Sequence, residues 1–236
     1  MMRILILGHN GMLGNAVCAY LKQFYEIDTI NYRWPTTEFI EYIKTYDGHY
    51  IINCIGAIPQ KTNEFGINSI LPVFLELNSK CKIIHPATDC ESDNDVYGIS
   101  KRIATDWLLE NGKHTFIFKT SIIGIELNSA DSLLCWALKQ TNANGYIQAK
   151  WNGITTLEWA KQCKNIIEGK HTSVHTIFGT ECISKFELLN LIKEVFQRDI
   201  EIIPIDGIGK DKCLITDIKL VDIKQQLIEL KEFYKL

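Results

Sequence analysis

Tyr97 and Lys101 stand four residues apart in Tyr97-Gly98-Ile99-Ser100-Lys101, a stretch that runs on into Ile103, Ala104, Trp107 and Leu108 at helical spacing. Side chains four apart on a helix share a face, so phenol and ammonium are expected side by side. A tyrosine of ordinary pKa about 10 serves as a general acid near neutrality only where its phenolate is stabilised, and an adjacent ammonium does that. The chemistry implied is protonation of a carbonyl oxygen, with Thr88 offering that oxygen a second hydrogen bond. The same Y-x-x-x-K spacing recurs at Tyr146 and Lys150, in a segment without helical period. Extended, that pair would stand roughly 13 Å apart, so it is set aside as chance.

A carbonyl protonated in this way needs a hydride, and the chain offers a place for its carrier. Gly8-His9-Asn10-Gly11-Met12-Leu13-Gly14 follows an apolar run at 3–7 and opens a helical pattern. Glycines in that context permit a tight turn, let backbone approach a pyrophosphate, and leave helix-terminal N–H groups for the anion. The spacing is G-x-x-G-x-x-G, one residue longer in the first gap than the commonest dinucleotide fingerprint. An acid normally closes the second strand to bind the ribose 2′-hydroxyl of NAD; here the sequence reads Ile30-Asn31-Tyr32-Arg33. The guanidinium of Arg33 suits a 2′-phosphate, so NADP(H) is the preferred cofactor and NAD(H) the alternative.

Positioning these groups requires strand ends, and the chain supplies them in regular alternation. Apolar strand-like runs at 3–7, 27–32, 50–55, 82–85 and 115–120 alternate with helical patterns beginning at Leu13 and at 37–46, 68–78 and 97–110. Such a βαβ series implies an α/β, doubly wound parallel (Rossmann) sheet whose ligands bind at the carboxyl ends of the strands. From about Ile125 the beat loosens into helices at 132–140 and 156–168 and a strand at 174–178. S/T-x-x-E boxes at Thr155/Glu158 and Ser184/Glu187 mark helix starts. The expected division is a cofactor domain over 1–124 and a smaller interwoven substrate-binding lobe over 125–236, with the 174–178 strand able to return to the main sheet.

Composition narrows the ligand. Lys and Arg number 25 against 28 Asp and Glu, spread without basic blocks, so nucleic acid is not the expected partner. No apolar run reaches membrane length, and no membrane partner is expected. The eight cysteines lack any C-x-x-C pair and several lie in apolar segments, which reads as reduced thiols of a cytoplasmic protein. His171 and His175 have the spacing of a helical metal pair but straddle Gly169 and a strand start, and no metal site is expected.

Taken in order, the glycine turn, Thr88, Tyr97 and Lys101 make the sequence resemble the extended short-chain dehydrogenase/reductase family, in particular its dTDP-4-dehydrorhamnose reductase branch. The likeness runs through I-N-C-I-G-A at 52–57, Asn68, A-T-D-C at 87–90, Y-G-I-S-K at 97–101, K-T-S-I-I-G at 119–124, W-N-G-I-T-T at 151–156 and I-S-K-F-E-L-L at 183–189. It implies reduction of a 4-keto sugar on a nucleoside diphosphate, dTDP- or UDP-linked, with Thr88, Tyr97 and Lys101 as the catalytic group. The resemblance further implies cofactor contacts from Gly8, Asn10, Gly11, Met12, Leu13, Gly14, Cys54, Ile55, Gly56, Ala57 and Thr120. Substrate contacts would come from Asp89, Cys90, Ser121, Trp151 and Asn152, and a homodimer is compatible with the type. The branch usually carries a longer segment between its threonine and tyrosine than the eight residues between Thr88 and Tyr97. Two alternatives stay open: epimerisation beside the ketone with Cys90 as acid or base, and a non-catalytic NADP(H)-binding regulatory subunit.

Overall fold

The computed structural model describes residues 2–236. Its first half alternates as the apolar runs dictate: β1 (Arg3–Leu7), α1 (Met12–Leu21), β2 (Glu26–Thr29), α2 (Thr37–Thr45), β3 (Tyr50–Asn53), α3 (Gly66–Asn78), β4 (Lys82–Ala87), a single 3-10 turn (Asp89–Ser92), α4 (Val96–Asn111) and β5 (Thr115–Lys119). Ile4, Leu5, Ile6 and Leu7 are wholly buried, as are Ile51 and Ile52, because helices cover both faces of the sheet. β2 is shorter than its sequence pattern suggested, ending at Thr29 and leaving Arg33 on an exposed connection.

The second half contributes β6 (Ile122–Ile123), α5 (Leu133–Ala137), β7 (Asn142–Tyr146), β8 (Lys150–Trp151), β9 (Ile154–Thr155), α6 (Thr156–Ile167), β10 (His175–Gly179), β11 (Ile183–Ser184), α7 (Lys185–Phe196), β12 (Glu201–Ile205), β13 (Ile218–Lys219) and α8 (Ile223–Tyr234). The main sheet has seven parallel strands in the order β13-β10-β5-β4-β3-β1-β2. Its strand order reverses between β1 and β3, which opens a crevice at their carboxyl ends. Three two-stranded pairs, β6 with β9, β7 with β12 and β8 with β11, lie outside that sheet.

Two apolar clusters show how the second half is woven onto the first. Trp159, Cys163, Ile166 and Phe178 pack with Ile4, Ile6, Val17 and Phe118 in the core of the main sheet. Leu134, Leu157, Leu188, Ile192 and Leu227 form a separate cluster with Ile123 and Trp151. At Ser184 both halves of the capping box form, the hydroxyl accepting from Glu187 N–H and the Glu187 carboxylate accepting in return. At Thr155 only one half forms, because Gln226 from α8 takes the Thr155 N–H at 2.9 Å while Glu158 turns to Gln162.

The expectation that the cysteines are all reduced is overturned. Cys182 and Cys213, 31 residues apart, are joined in a disulfide, and six cysteines are free. The chain brings the β10–β11 turn against the segment that follows β12, a long-range meeting that cysteine spacing cannot reveal.

Candidate active site

The crevice begins at the glycine turn. Gly8 has a φ of +75°, and a Cβ there would lie 2.9 Å from the Cys54 carbonyl oxygen. A Cβ on Gly14 would fall 2.1 Å from the Gly8 carbonyl oxygen, so helix α1 can sit against its own entry turn only with glycine there. Gly11 caps α1 without a side-chain hydrogen bond, leaving the first-turn amides of Met12, Leu13 and Gly14 free of intrahelical partners. Such free amides at a helix N-terminus form a phosphate cradle. The His9 Nδ1 beside them is buried with no partner in the protein. These features fit a dinucleotide, as does Arg33, whose exposed side chain makes no ion pair among the described residues.

On the β3 side, Cys54 packs with Cys18 against the core cluster that holds Cys163, and burial raises its thiol pKa. Asn68 on α3 fixes the Ile55-Gly56-Ala57 exit, accepting from Ala57 N–H at 2.8 Å and donating to the Ala57 carbonyl at 3.0 Å and the Ser100 hydroxyl at 3.1 Å. Thr120, at the end of β5, is buried, and Ser121 beside it is half-buried.

Tyr97 and Lys101 occupy the first two turns of α4, whose N-terminus is capped by Asp95 accepting from Gly98 N–H at 2.7 Å. Lys101 is 7% exposed and donates to the Pro86 carbonyl on β4 at 3.3 Å. Its Nζ lies 3.7 Å from where a Gly56 Cβ would be, which puts the ammonium in the crevice between β3 and β4. Burial lowers its pKa, and Glu91 and Cys90 pull the other way. The Tyr97 phenol packs edge-on against Phe65 at 5.7 Å and its pKa is raised, chiefly by burial, then by Cys90 and Asp89, with a Thr88 hydrogen bond opposing. The site thus departs from the sequence expectation of a lowered tyrosine pKa, because burial dominates, with Cys90 and Asp89 adding to it. Tyr97 keeps its proton, the state a proton donor needs.

Thr88 directly follows β4 and donates to Asp89 Oδ1 at 2.9 Å. Cys90 donates its thiol to the same oxygen at 3.6 Å, and burial above all pushes that thiol up to about 11. The short link from Thr88 to Tyr97 is tied down through Glu91. Buried Glu91 takes the Thr105 hydroxyl at 2.6 Å and pairs with Lys119 at 2.8 Å, while Arg102 donates to the Glu91 carbonyl at 2.7 Å. A Cβ on Gly98 would lie 2.3 Å from the Cys90 carbonyl, so the 3-10 turn rests directly on α4.

The second half closes the far side. Trp151 is 3% exposed and belongs to the second core cluster, and Asn152 commits both ends of its amide to the Leu214 backbone at 2.9 Å each. Tyr146 ends β7 and Lys150 opens β8, so the second Y-x-x-x-K match does not form a helical pair. His171 packs edge-on against Phe178 rather than forming a helical pair with His175, which is in β10. Lys185 carries no role in the sequence reading. It opens α7 with its ammonium 5.0 Å above the Trp151 ring, and burial lowers its pKa to about 8 against the opposing pull of Asp89 and Cys90. Its only sequence signal is its place directly after the Ser184 cap.

With the Rossmann-like class of the fold and the site's layout in hand, comparison with known proteins gives its particular relatives. The sequence matches no protein-family model and no curated protein. Solved structures do match. A dTDP-4-dehydrorhamnose reductase from Bacillus anthracis, in complex with NADP, superposes with a TM-score of 0.77 at 16% identity over 98% of each chain. One from Clostridium acetobutylicum gives 0.75 at 15% over the whole of both. A dTDP-glucose 4,6-dehydratase from Bacillus anthracis, in complex with NAD, gives 0.75 at 16% over 100% of this chain and 97% of that one. At such identities the likeness establishes the fold.

Proposed function

We propose that this protein is an NADPH-dependent reductase of the 4-keto group of a nucleoside-diphosphate 6-deoxysugar. The observation that carries the reading is the gathering of protonated Tyr97, buried Lys101 and Thr88 around the carboxyl end of β4, beside the glycine crevice. Solved reductases and dehydratases of nucleotide sugars that share the fold support it. Nucleotide-sugar biosynthesis in the cytoplasm, where NADPH is available, is the setting it implies.

When bound, the reduced nicotinamide supplies the hydride. The first-turn amides of α1 would hold its pyrophosphate and Arg33 its 2′-phosphate. Lys101, reaching into the crevice, would hold ribose hydroxyls. Thr88 donates to the ketone oxygen and Tyr97 gives it the proton, after which the Lys101 charge stabilises the phenolate until solvent restores it. Lys185, an ammonium over Trp151 with no ion-pair partner among the described residues, receives the anionic part of the substrate on the lobe side.

Cys90 bears on the alternative of epimerisation. Its thiol donates to Asp89 and is held protonated well above neutrality, which suits a wall residue better than a base. In heavy water without cofactor, the expected outcome is no deuterium at C3 or C5 of a 4-keto sugar nucleotide that the protein reduces. Exchange lost in Cys90→Ser would instead assign epimerisation. The reductase reading itself is tested by following NADPH oxidation with dTDP- and UDP-4-keto-6-deoxysugars.

A further inference from the structure

The segment 206–217, between β12 and β13, runs as a strap past the catalytic link. Its exposed apolar residues do not anchor it: Ile208 is 59% and Ile215 93% exposed. Two of its glycines adopt left-handed backbone, Gly207 at φ +73° and Gly209 at φ +125°, so the chain there has little intrinsic stiffness. Polar contacts hold it instead. Lys150 N–H donates to the Lys210 carbonyl at 3.2 Å, Lys212 N–H to the Lys150 carbonyl at 3.1 Å, and Leu214 meets the Asn152 amide. The Lys212 ammonium clasps Asp93, with Lys210 3.8 Å from the same carboxylate oxygen. Asp93 closes the 3-10 turn that begins after Thr88, its N–H donating to the Cys90 carbonyl at 2.9 Å. The strap therefore grips the link that spaces Thr88 from Tyr97.

The one covalent tie of the strap is the Cys182–Cys213 disulfide, which fastens it to the turn after β10. The bond is open to exchange: Cys182 is exposed and Cys213 half-buried, with the Asp211 carboxylate within 4.8 Å of both sulfurs. We propose that Cys182 and Cys213 form a thiol–disulfide latch on the active site: oxidised, it holds the Lys212 clasp on Asp93; reduced by a low-molecular-weight thiol, it releases the strap and weakens substrate binding. The substrate half of this inference rests on the proposed reductase activity; the structural half does not.

The exchange is balanced. A thiolate attacks one sulfur of the pair and forms a mixed disulfide, expelling the other cysteine as a thiolate that takes a proton. A second thiol resolves the mixed disulfide, so two electrons pass from two small thiols to the protein, leaving two cysteine thiols and one small disulfide. Asp211 sets the rate by repelling an incoming anionic thiolate, and Asp211→Asn is expected to speed reduction.

The test uses the full chain. Denatured without reductant and alkylated, the protein is expected to label six cysteines, those free in the structure; labelling of all eight overturns the latch. Hydrogen–deuterium exchange is then compared before and after dithiothreitol. Reduction is expected to speed exchange at the amides of Lys150, Lys212 and Leu214 by about tenfold while β1 and β3 stay unchanged, and Cys182→Ser is expected to match the reduced protein with or without thiol. Equal exchange in both states overturns the proposal whatever the catalytic activity. With a turned-over substrate, reduction is expected to raise KM by about fivefold with kcat held, and Lys212→Gln to raise KM without thiol sensitivity. A KM indifferent to dithiothreitol in a protein whose strap does loosen overturns the regulatory half.

Discussion

Gly14→Ala is the sharpest perturbation the glycine turn offers. The new methyl would lie 2.1 Å from the Gly8 carbonyl oxygen, 2.7 Å from its carbon and 2.8 Å from His9 Cα, where ordinary contact begins at 3.4 Å. All three atoms are backbone, so no side chain can swing aside, and α1 and the turn must part by more than about 1 Å. Overpacking of this kind costs about 1–3 kcal/mol. For a chain of this size each kcal/mol lowers Tm by roughly 2–4 °C, so calorimetry is expected to show a fall of about 2–12 °C. The same displacement moves the amides proposed to cradle the pyrophosphate. Losing one charge-assisted hydrogen bond, about 1.5–3 kcal/mol, weakens NADPH binding roughly 10- to 100-fold by fluorescence titration. An alanine variant with unchanged Tm and unchanged NADPH affinity would refute both the packing argument and the location of the cofactor.

Further outcomes follow from the other groups of the site. Arg33→Ala is expected to narrow a preference for NADPH over NADH by about 1–3 kcal/mol, read from paired dissociation constants; a parent protein that prefers NADH refutes the assignment. Tyr97→Phe is expected to leave NADPH affinity intact and lower turnover by about 100-fold or more, and unchanged turnover would move the proton donor elsewhere. Because burial depresses Lys185 to about 8, the folded state binds its proton less tightly than the unfolded chain. That penalty is present in full below pH 8 and is relieved as pH rises from there toward the ordinary lysine value. Lys185→Met is therefore expected to gain about 1–3 kcal/mol of stability at pH 7 and to raise KM for the nucleotide sugar; the parent's KM is expected to climb above pH 8 as the ammonium is lost.

The parts of the fold that sequence makes legible are those buried on both faces. β1, β3 and β4 read as continuous apolar runs because helices leave their side chains no solvent face, and α4 declared itself through Ile103, Ala104, Trp107 and Leu108. β7 and β12 carry no such signal. The first is Asn142-Ala143-Asn144-Gly145-Tyr146, the second contains Pro204, and each is recognisable as a strand only through pairing with the other. The glycine turn, Thr88, Tyr97 and Lys101 were readable because their chemistry depends on local spacing. Lys185, the Lys212–Asp93 clasp and the Cys182–Cys213 bond were not, since each joins segments far apart in the chain. The raised pKa of Tyr97 was hidden for a similar reason: burial is a property of the assembled site and not of the Y-x-x-x-K spacing.

The proposed chemistry is reduction of a nucleotide-linked 4-keto sugar by NADPH, with Tyr97, Lys101 and Thr88 around the carbonyl. It is tested by NADPH absorbance after the protein is mixed with dTDP- and UDP-4-keto-6-deoxysugars, parent and Tyr97→Phe side by side. Oxidation is expected to depend on one of these sugars and to fall by about 100-fold in the variant. Tight NADPH binding with no oxidation across the panel would contradict it and favour a regulatory subunit.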